Sequence, residues 1–196
     1  MYSPTLNALS RDDDLVAMAV ELLRRPAALS ELSVEEAQIL VGCMRLIHCA
    51  EGSLLMREGD TENSDHMLLI LEGEVSIENA VASRSDPLVA TVLGPGSLVG
   101  EMGLLDGAPR AASCVALSAI IAAGLSRRAL RGLIIEQPDL AAKFVIAVAQ
   151  RISERLRESG RQQRVFSQLV RAMQGEIEEL NRQLQCVMEG ASRRQS

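Results

Sequence analysis

Residues 96–113 read GSLVGEMGLLDGAPRAAS, and the fold turns on this stretch. A short apolar strand, Ser97-Leu98-Val99, runs into Gly100. Glu101 to Asp106 is long enough for one helical turn, and Gly107 stops it. A helix start presents free backbone N–H groups and the positive end of the peptide dipoles. Arg110 follows just before the next apolar strand, which begins at Ala112. A helix start with a nearby arginine makes an anion site. Glu101 in the same place would repel a bare phosphate, and it suits a ligand that also offers a hydroxyl donor. Phosphate plus sugar hydroxyl describes a nucleotide, although the same residues alone also fit a salt-bridged turn.

Working outward, residues 44–124 carry short apolar stretches punctuated by glycine, at Gly52, Gly59, Gly73 and Gly94 upstream of the quoted stretch and at Gly96, Gly100, Gly103 and Gly107 within it. MRLIH (44–48), MLLILEG (67–73), EVSIE (74–78) and LVATVLG (88–94) read as strands. EVSIE alternates apolar and polar as a half-buried strand does, whereas MLLIL is apolar throughout, as a strand covered on both faces would be. Short strands with glycine turns predict an all-β barrel or roll. Glu72-Gly73-Glu74 reads as a tight hairpin turn joining two of the strands.

Helical periods flank this region. Leu15, Ala19, Leu22 and Leu23 share a face in DDDLVAMAVELLR (12–24), with Asp12, Asp13 and Asp14 at the favourable end of the dipole and Pro26 ending the helix. Ser33 with Glu36 forms a capping box for a second short helix that carries Ala37, Ile39, Leu40 and Cys43. Ser126 caps a helix over 127–135, and Pro138 opens a long one. Its apolar residues follow a heptad: Ala142, Ala149, Leu156, Gln163, Val170, Ile177 and Leu184 on one seam, and Val145, Ile152, Ser159, Phe166, Met173, Leu180 and Val187 on the other. The seam is weakest at Ser159-Gly160 and Gln163, where a glycine allows a kink or a break.

The organisation expected is a helical lead (1–27), a β-roll (28–137), a long helix (138–190) and a frayed tail (191–196), in the α+β class. The long heptad helix predicts a homodimer or another coiled-coil partnership.

Composition narrows the function. The chain of 196 residues is 47% hydrophobic, with no Trp, one Tyr and two Phe, so the core is aliphatic and stacking platforms for bases are few. A net charge of −6 lacks the basic balance typical of nucleic-acid binders. No apolar run approaches the roughly 20 residues of a membrane span, and the N-terminus has no signal-peptide pattern, so the expected location is the cytoplasm. Cys43, Cys49, Cys114 and Cys186 form no C-x-x-C pair, and His48 and His66 complete no metal spacing. Cys43, His48 and Cys49 lie close in sequence, but small buried thiols on a strand account for them. No catalytic triad context, Walker loop or H-E-x-x-H is present, so no metal and no enzyme is expected.

GEMGLLDGAPRAAS resembles the phosphate-binding cassette of the cyclic-nucleotide-binding domain family, and AEGSLLMREGDTENSDHMLLILEGEVSIE (50–78) is similar to the family's first β-roll half. The resemblance runs over about residues 28–158, and implies a jelly-roll-like β-roll flanked by helices, with the cassette at 96–113. It implies that Glu101 accepts from the ribose 2′-OH and that Arg110 pairs with the cyclic phosphate. The backbone amides of Gly100, Glu101, Met102 and Ala111 would supply further donors. Ala111 in place of threonine implies cyclic AMP over cyclic GMP, and Ser159 falls where the bacterial branch often places a small hydroxyl facing adenine.

Bacterial members usually continue into a winged helix-turn-helix of about 60 residues. Only 36 residues follow Gly160, and they read as one heptad helix. Arg151, Arg155, Arg157, Arg161 and Arg164 are interspersed with Glu154 and Glu158, as on a solvated face. The expectation is therefore a cyclic-AMP sensor acting through an unidentified protein partner, with no nucleic acid and no membrane span. The alternatives are a ligand-free interaction module, and the same fold holding cyclic di-GMP or another anion. Whether Glu101 and Arg110 line a pocket or close on each other separates the first two.

Overall fold

The computed structural model describes residues 7–8, 13–25, 28–29, 31–79 and 88–192. The first of two compact units runs to Arg151 and the second from Ile152.

In the first unit, α1 (Asp13–Leu23) and α2 (Val34–Gly42) precede the sheet region. Asp13 and Asp14 occupy the first turn of α1, whereas Asp12, Pro26 and the tail beyond Ser192 lie outside the described residues. The capping box forms as the sequence predicts: Ser33 Oγ accepts from the Glu36 amide, and the Glu36 carboxylate accepts from the Ser33 amide. The lead also contributes a strand the sequence reading lacks, β1 (Asn7–Ala8), which pairs antiparallel with Arg45 and Leu46.

Eight further strands build a roll of two sheets: β2 (Arg45–Cys49), β3 (Leu54–Met56), β4 (His66–Glu72), β5 (Val75–Asn79), β6 (Leu88–Leu93), β7 (Leu98–Val99), β8 (Ser113–Ala116) and β9 (Ile120–Ser126). One sheet has the order β1-β2-β9-β4-β7 and the other β3-β8-β5-β6. Between them lies a core that includes Met56, Leu68, Ile70, Val75, Val99 and Ile120. Alternate residues of β4 point to the opposite face, where Met67 and Leu69 are fully buried and α1 packs. This double covering is why MLLIL carries no polar residue.

The expected hairpin at Gly73 does not form. β4 pairs with β7 and β9, and β5 pairs with β6 and β8. Gly73 instead carries the chain from one sheet to the other at φ +85°, where a Cβ would lie 2.7 Å from Ile120 Cδ1. The local turn signal was right, but the pairing is set by sheet topology.

α3 (Glu101–Asp106) and α4 (Arg127–Glu136) follow, with Ser126 Oγ accepting from Ala129 to cap α4. Cys43 belongs to the end of α2 rather than to a strand; Cys49 lies on β2, and both are half-buried. α5 (Pro138–Ser192) runs unbroken through Ser159 and Gly160. A mid-helix glycine costs about 1 kcal/mol relative to alanine and breaks nothing by itself. In the first unit α5 buries Leu140, Phe144 and Val148.

Candidate functional site

The cassette begins where β7, hydrogen-bonded to β4 through the Leu68↔Val99 and Leu69↔Leu98 registers, delivers the chain to Gly100. Gly100 adopts the left-handed conformation, φ +78°, and caps α3 without any side-chain hydrogen bond. A Cβ at Gly100 would lie 2.5 Å from both Arg110 Nη1 and Met56 Cε. Glycine is therefore required by backbone conformation and by close approach together. A Cβ at Gly103 would sit 2.5 Å from the Ser64 carbonyl, so α3 packs directly on the 60–65 loop. Gly107, also left-handed, donates its amide to Gly103 O at 3.1 Å and ends the helix where the sequence predicts.

Arg110 is 5% exposed and is fixed at both backbone and side chain. Its amide donates to Asp60 O at 3.0 Å and its carbonyl accepts from Gly59 at 2.8 Å. The guanidinium donates from Nε and Nη2 to Asn63 O at 3.2 and 2.7 Å, and from Nη2 to His66 O at 2.8 Å. Nη1 donates to Gly100 O at 2.9 Å. Nη1 carries two hydrogens and has one hydrogen-bonded acceptor among the described residues, so one N–H vector remains for another oxygen. Burial pushes the guanidinium below its ordinary value, and the carboxylates of Asp65, Asp60 and Glu101 push the other way. Arginine stays charged throughout.

The arrangement bears on the two readings of Glu101 and Arg110. Among the described residues the hydrogen-bond acceptors of Arg110 are backbone carbonyls and the His66 ring, not a carboxylate. Glu101 acts on Arg110 through its field and is itself 3% exposed on the first turn of α3. The pair does not close on itself. A guanidinium hydrogen-bonded by neutral carbonyls, with no carboxylate bonded to it directly, suits an incoming anion. Met102 and Ala111 stand exposed on either side. Ser159 is exposed on α5 and belongs to the second unit.

Several contributors escaped the sequence reading. Asn63 and His66 grip Arg110 through main-chain carbonyls, which leave no residue-type signature. His66 also faces Arg110 Nη2 with Nδ1 at 3.3 Å. Burial first, and then the Arg110 charge, lowers its pKa below the usual 6.5. The neutral ring with an acceptor Nδ1 is therefore the form that fits. Met56 closes over Gly100 from β3. Arg127, first residue of α4, donates from Nε to Leu104 O at 3.0 Å and from Nη2 to Gly103 O, holding the end of α3. Its signal was available: an arginine in the first turn of a helix opposes the helix dipole, so it needs another reason to be there.

A cavity of about 400 Å³ is lined by Ile47, Met56, Asp60, Asn63, His66 and others. A wider one of about 720 Å³ shares Ile47, Asn63 and His66 and opens past Arg45 and Arg128. Neither is lined by Glu101 or Arg110. The convergent polar geometry of the cassette, rather than a cavity, is what makes it the candidate site. Among the described residues no group of three His, Cys, Asp or Glu side chains is placed to hold a metal ion, and no helix is long and apolar enough to cross a membrane.

The model of the cyclic nucleotide-binding domain family matches residues 46–137. The crystal structure of a cyclic nucleotide-binding domain from Methylobacillus flagellatus is similar, with 32% identity and a TM-score of 0.68 over 80% of this chain and 84% of that one. A CRP-like cAMP-activated global transcriptional regulator of Mycobacterium tuberculosis is 24% identical over 132 residues, 67% of this chain; the chain spans 58% of that regulator's length. The acetyltransferase Pat of Mycolicibacterium smegmatis is 30% identical over 143 residues, 73% of this chain but 39% of the enzyme. Residue pattern, roll and relatives agree, and the chain belongs to the cyclic nucleotide-binding domain family.

Proposed function

We propose that the chain is a cyclic-nucleotide sensor that prefers cyclic AMP, self-associates through its long helix and signals through a protein partner in the cytoplasm rather than through DNA or catalysis. The observation that carries this reading is Arg110: buried, gripped by three residues' carbonyls, with an Nη1–H to spare beside Gly100. An oxygen of the cyclic phosphate takes that N–H, and the backbone amides of Gly100, Glu101, Met102 and Ala111 supply further donors. Glu101 accepts from the ribose hydroxyl. Two supports favour cyclic AMP. Ala111 offers no hydroxyl to a guanine amino group, and the mycobacterial regulator is cAMP-activated by its name. Ser159 is the adenine-facing candidate.

Calorimetric titration of the refolded chain with cyclic AMP and cyclic GMP tests this. Saturable binding with cyclic AMP preferred is the expected outcome. Arg110→Lys keeps a cation but loses the forked geometry, and weakens binding by about 10- to 150-fold, the worth of one charged hydrogen bond. No heat with either nucleotide, or unaltered affinity in Arg110→Lys, sinks the assignment and leaves the ligand-free interaction module in its place.

A further inference from the structure

The second unit is a single helix whose apolar stripe faces solvent. Leu156 is 72% exposed, Phe166 67%, Met173 54%, Ile177 54% and Leu180 60%. A stripe this regular on a soluble helix is a surface awaiting a partner. The stripe alone does not name the occupant, but the charges along the helix do. Residues 152–171 carry five arginines and two glutamates, a net +3, whereas residues 172–190 carry four glutamates and one arginine, a net −3. The halves are equal and opposite, so the segment is complementary to itself when reversed.

Two copies aligned in parallel would set basic half against basic half and acidic half against acidic half. Reversing one copy sets unlike halves together along the whole length. The apolar layers permit the reversal. About a midpoint between residues 171 and 172, Val170 meets Met173 of the second copy, Phe166 meets Ile177, and Gln163 meets Leu180. The parallel arrangement instead stacks Gln163 on Gln163 and every large residue on itself. Of the positions flanking the seam, Gln162, Ser167, Gln174 and Asn181 are uncharged, and the charged one, Glu176, lies level with Ser167 of the second copy, so none imposes a contrary pairing.

We propose that residues 156–187 of α5 pair with the same segment of a second copy in antiparallel register, the basic half of each helix lying along the acidic half of the other. This rests on the self-association proposed above and adds its direction.

Lys143 is the chain's sole lysine, which makes an amine-reactive crosslinker selective. In the full chain carrying Arg161→Lys and Arg182→Lys, charge is unchanged. Within one helix the two positions are about 32 Å apart at 1.5 Å per residue, beyond a short crosslinker. Antiparallel pairing brings residue 161 of one copy level with residue 182 of the other, and this mixed crosslink is the expected product in the dimer. Crosslinks of 161 to 161 and of 182 to 182 instead would establish the parallel arrangement and overturn the proposal. Glu176, Glu178 and Glu179 changed together to Gln gives a second readout with opposite signs. Antiparallel pairing loses attraction, and the dimer dissociation constant from sedimentation rises about tenfold at low salt. Parallel pairing loses repulsion, so an unchanged or lower constant also overturns the proposal, as does a chain that stays monomeric. Nucleotide titration of the same samples is independent of these outcomes, so loss of the sensor reading and loss of this register are separately visible.

Discussion

Arg110 has two tasks in one side chain. It presents charge to the cassette, and it satisfies the carbonyls of Asn63, His66 and Gly100. Removing it outright therefore confounds binding with folding, since each orphaned buried carbonyl costs about 1–3 kcal/mol. Arg110→Lys, which keeps a donor and the charge, is the cleaner variant. Of the candidate site, Gly100, Glu101 and Arg110 were readable because their side-chain chemistry and glycine spacing carry the resemblance to the phosphate-binding cassette. Asn63 and His66 were not, because they act through carbonyls that any residue owns. His66 adds a pH dependence. Its pKa is below 6.5 in the folded chain, owing to burial and the neighbouring Arg110 charge, whereas the unfolded ring titrates near 6.5. The unfolded state thus binds the proton more readily. The contribution is complete above pH 6.5 and is lost as pH falls below it toward the folded pKa. Urea unfolding at pH 7.5 and pH 5.5 is expected to show a fall in stability for the native chain, and a smaller fall for His66→Gln. An equal fall in both proteins would remove His66 from this account.

At the scale of elements, the cassette helix is too short to hold itself. α3 has six residues, and isolated helices of that length are unstable in water. Three neighbours fix it: Gly103 against Ser64, Gly107 closing its end, and Arg127 reaching back from α4 to the Gly103 and Leu104 carbonyls. Arg127 costs α4 a few tenths of a kcal/mol to about 1 kcal/mol by opposing its dipole. Two charge-assisted bonds to part-buried carbonyls outweigh that cost. Arg127→Met keeps the aliphatic stem and loses both bonds, for an expected net destabilisation of about 1–2 kcal/mol by urea unfolding. Arg128→Met, exposed one residue later, serves as the control and should change stability by less than about 0.5 kcal/mol. If the two variants behave alike, Arg127 is not what ties α3 to α4. Elements bounded by local chemistry, such as α2 with its capping box and α4 behind Ser126, were readable from sequence. The fate of the Gly73 turn was not. Whether two successive strands pair or part company depends on β7, β8 and β9, which lie far along the chain.

At the scale of the molecule, the two units differ in what holds them. The first closes its own core. Its buried apolar residues run from Ala19 to Val148, and the last large one, Phe144 on α5, is fully buried. In the second, the described side chains are exposed or half-buried, with none fully buried. A helix whose described side chains are exposed or half-buried draws little stability from burial, and nucleation is costly. Stability should therefore divide at the boundary near Arg151. A chain ending after Arg151 retains every buried apolar residue of the first unit. It should unfold cooperatively with a urea midpoint close to that of the full chain, and this should not depend on protein concentration. The segment 152–196 alone should gain helical circular dichroism as its concentration rises, because only association covers the stripe from Leu156 to Leu180. The shortened chain also isolates Ser159. If that hydroxyl faces adenine, cyclic-AMP affinity drops in the shortened chain and in Ser159→Ala alike; if affinity is kept in both, the roll and cassette hold the nucleotide by themselves. Loss of cooperative unfolding on removing 152–196 would mean that the long helix carries part of the core's stability, and the division drawn here at Arg151 would fall.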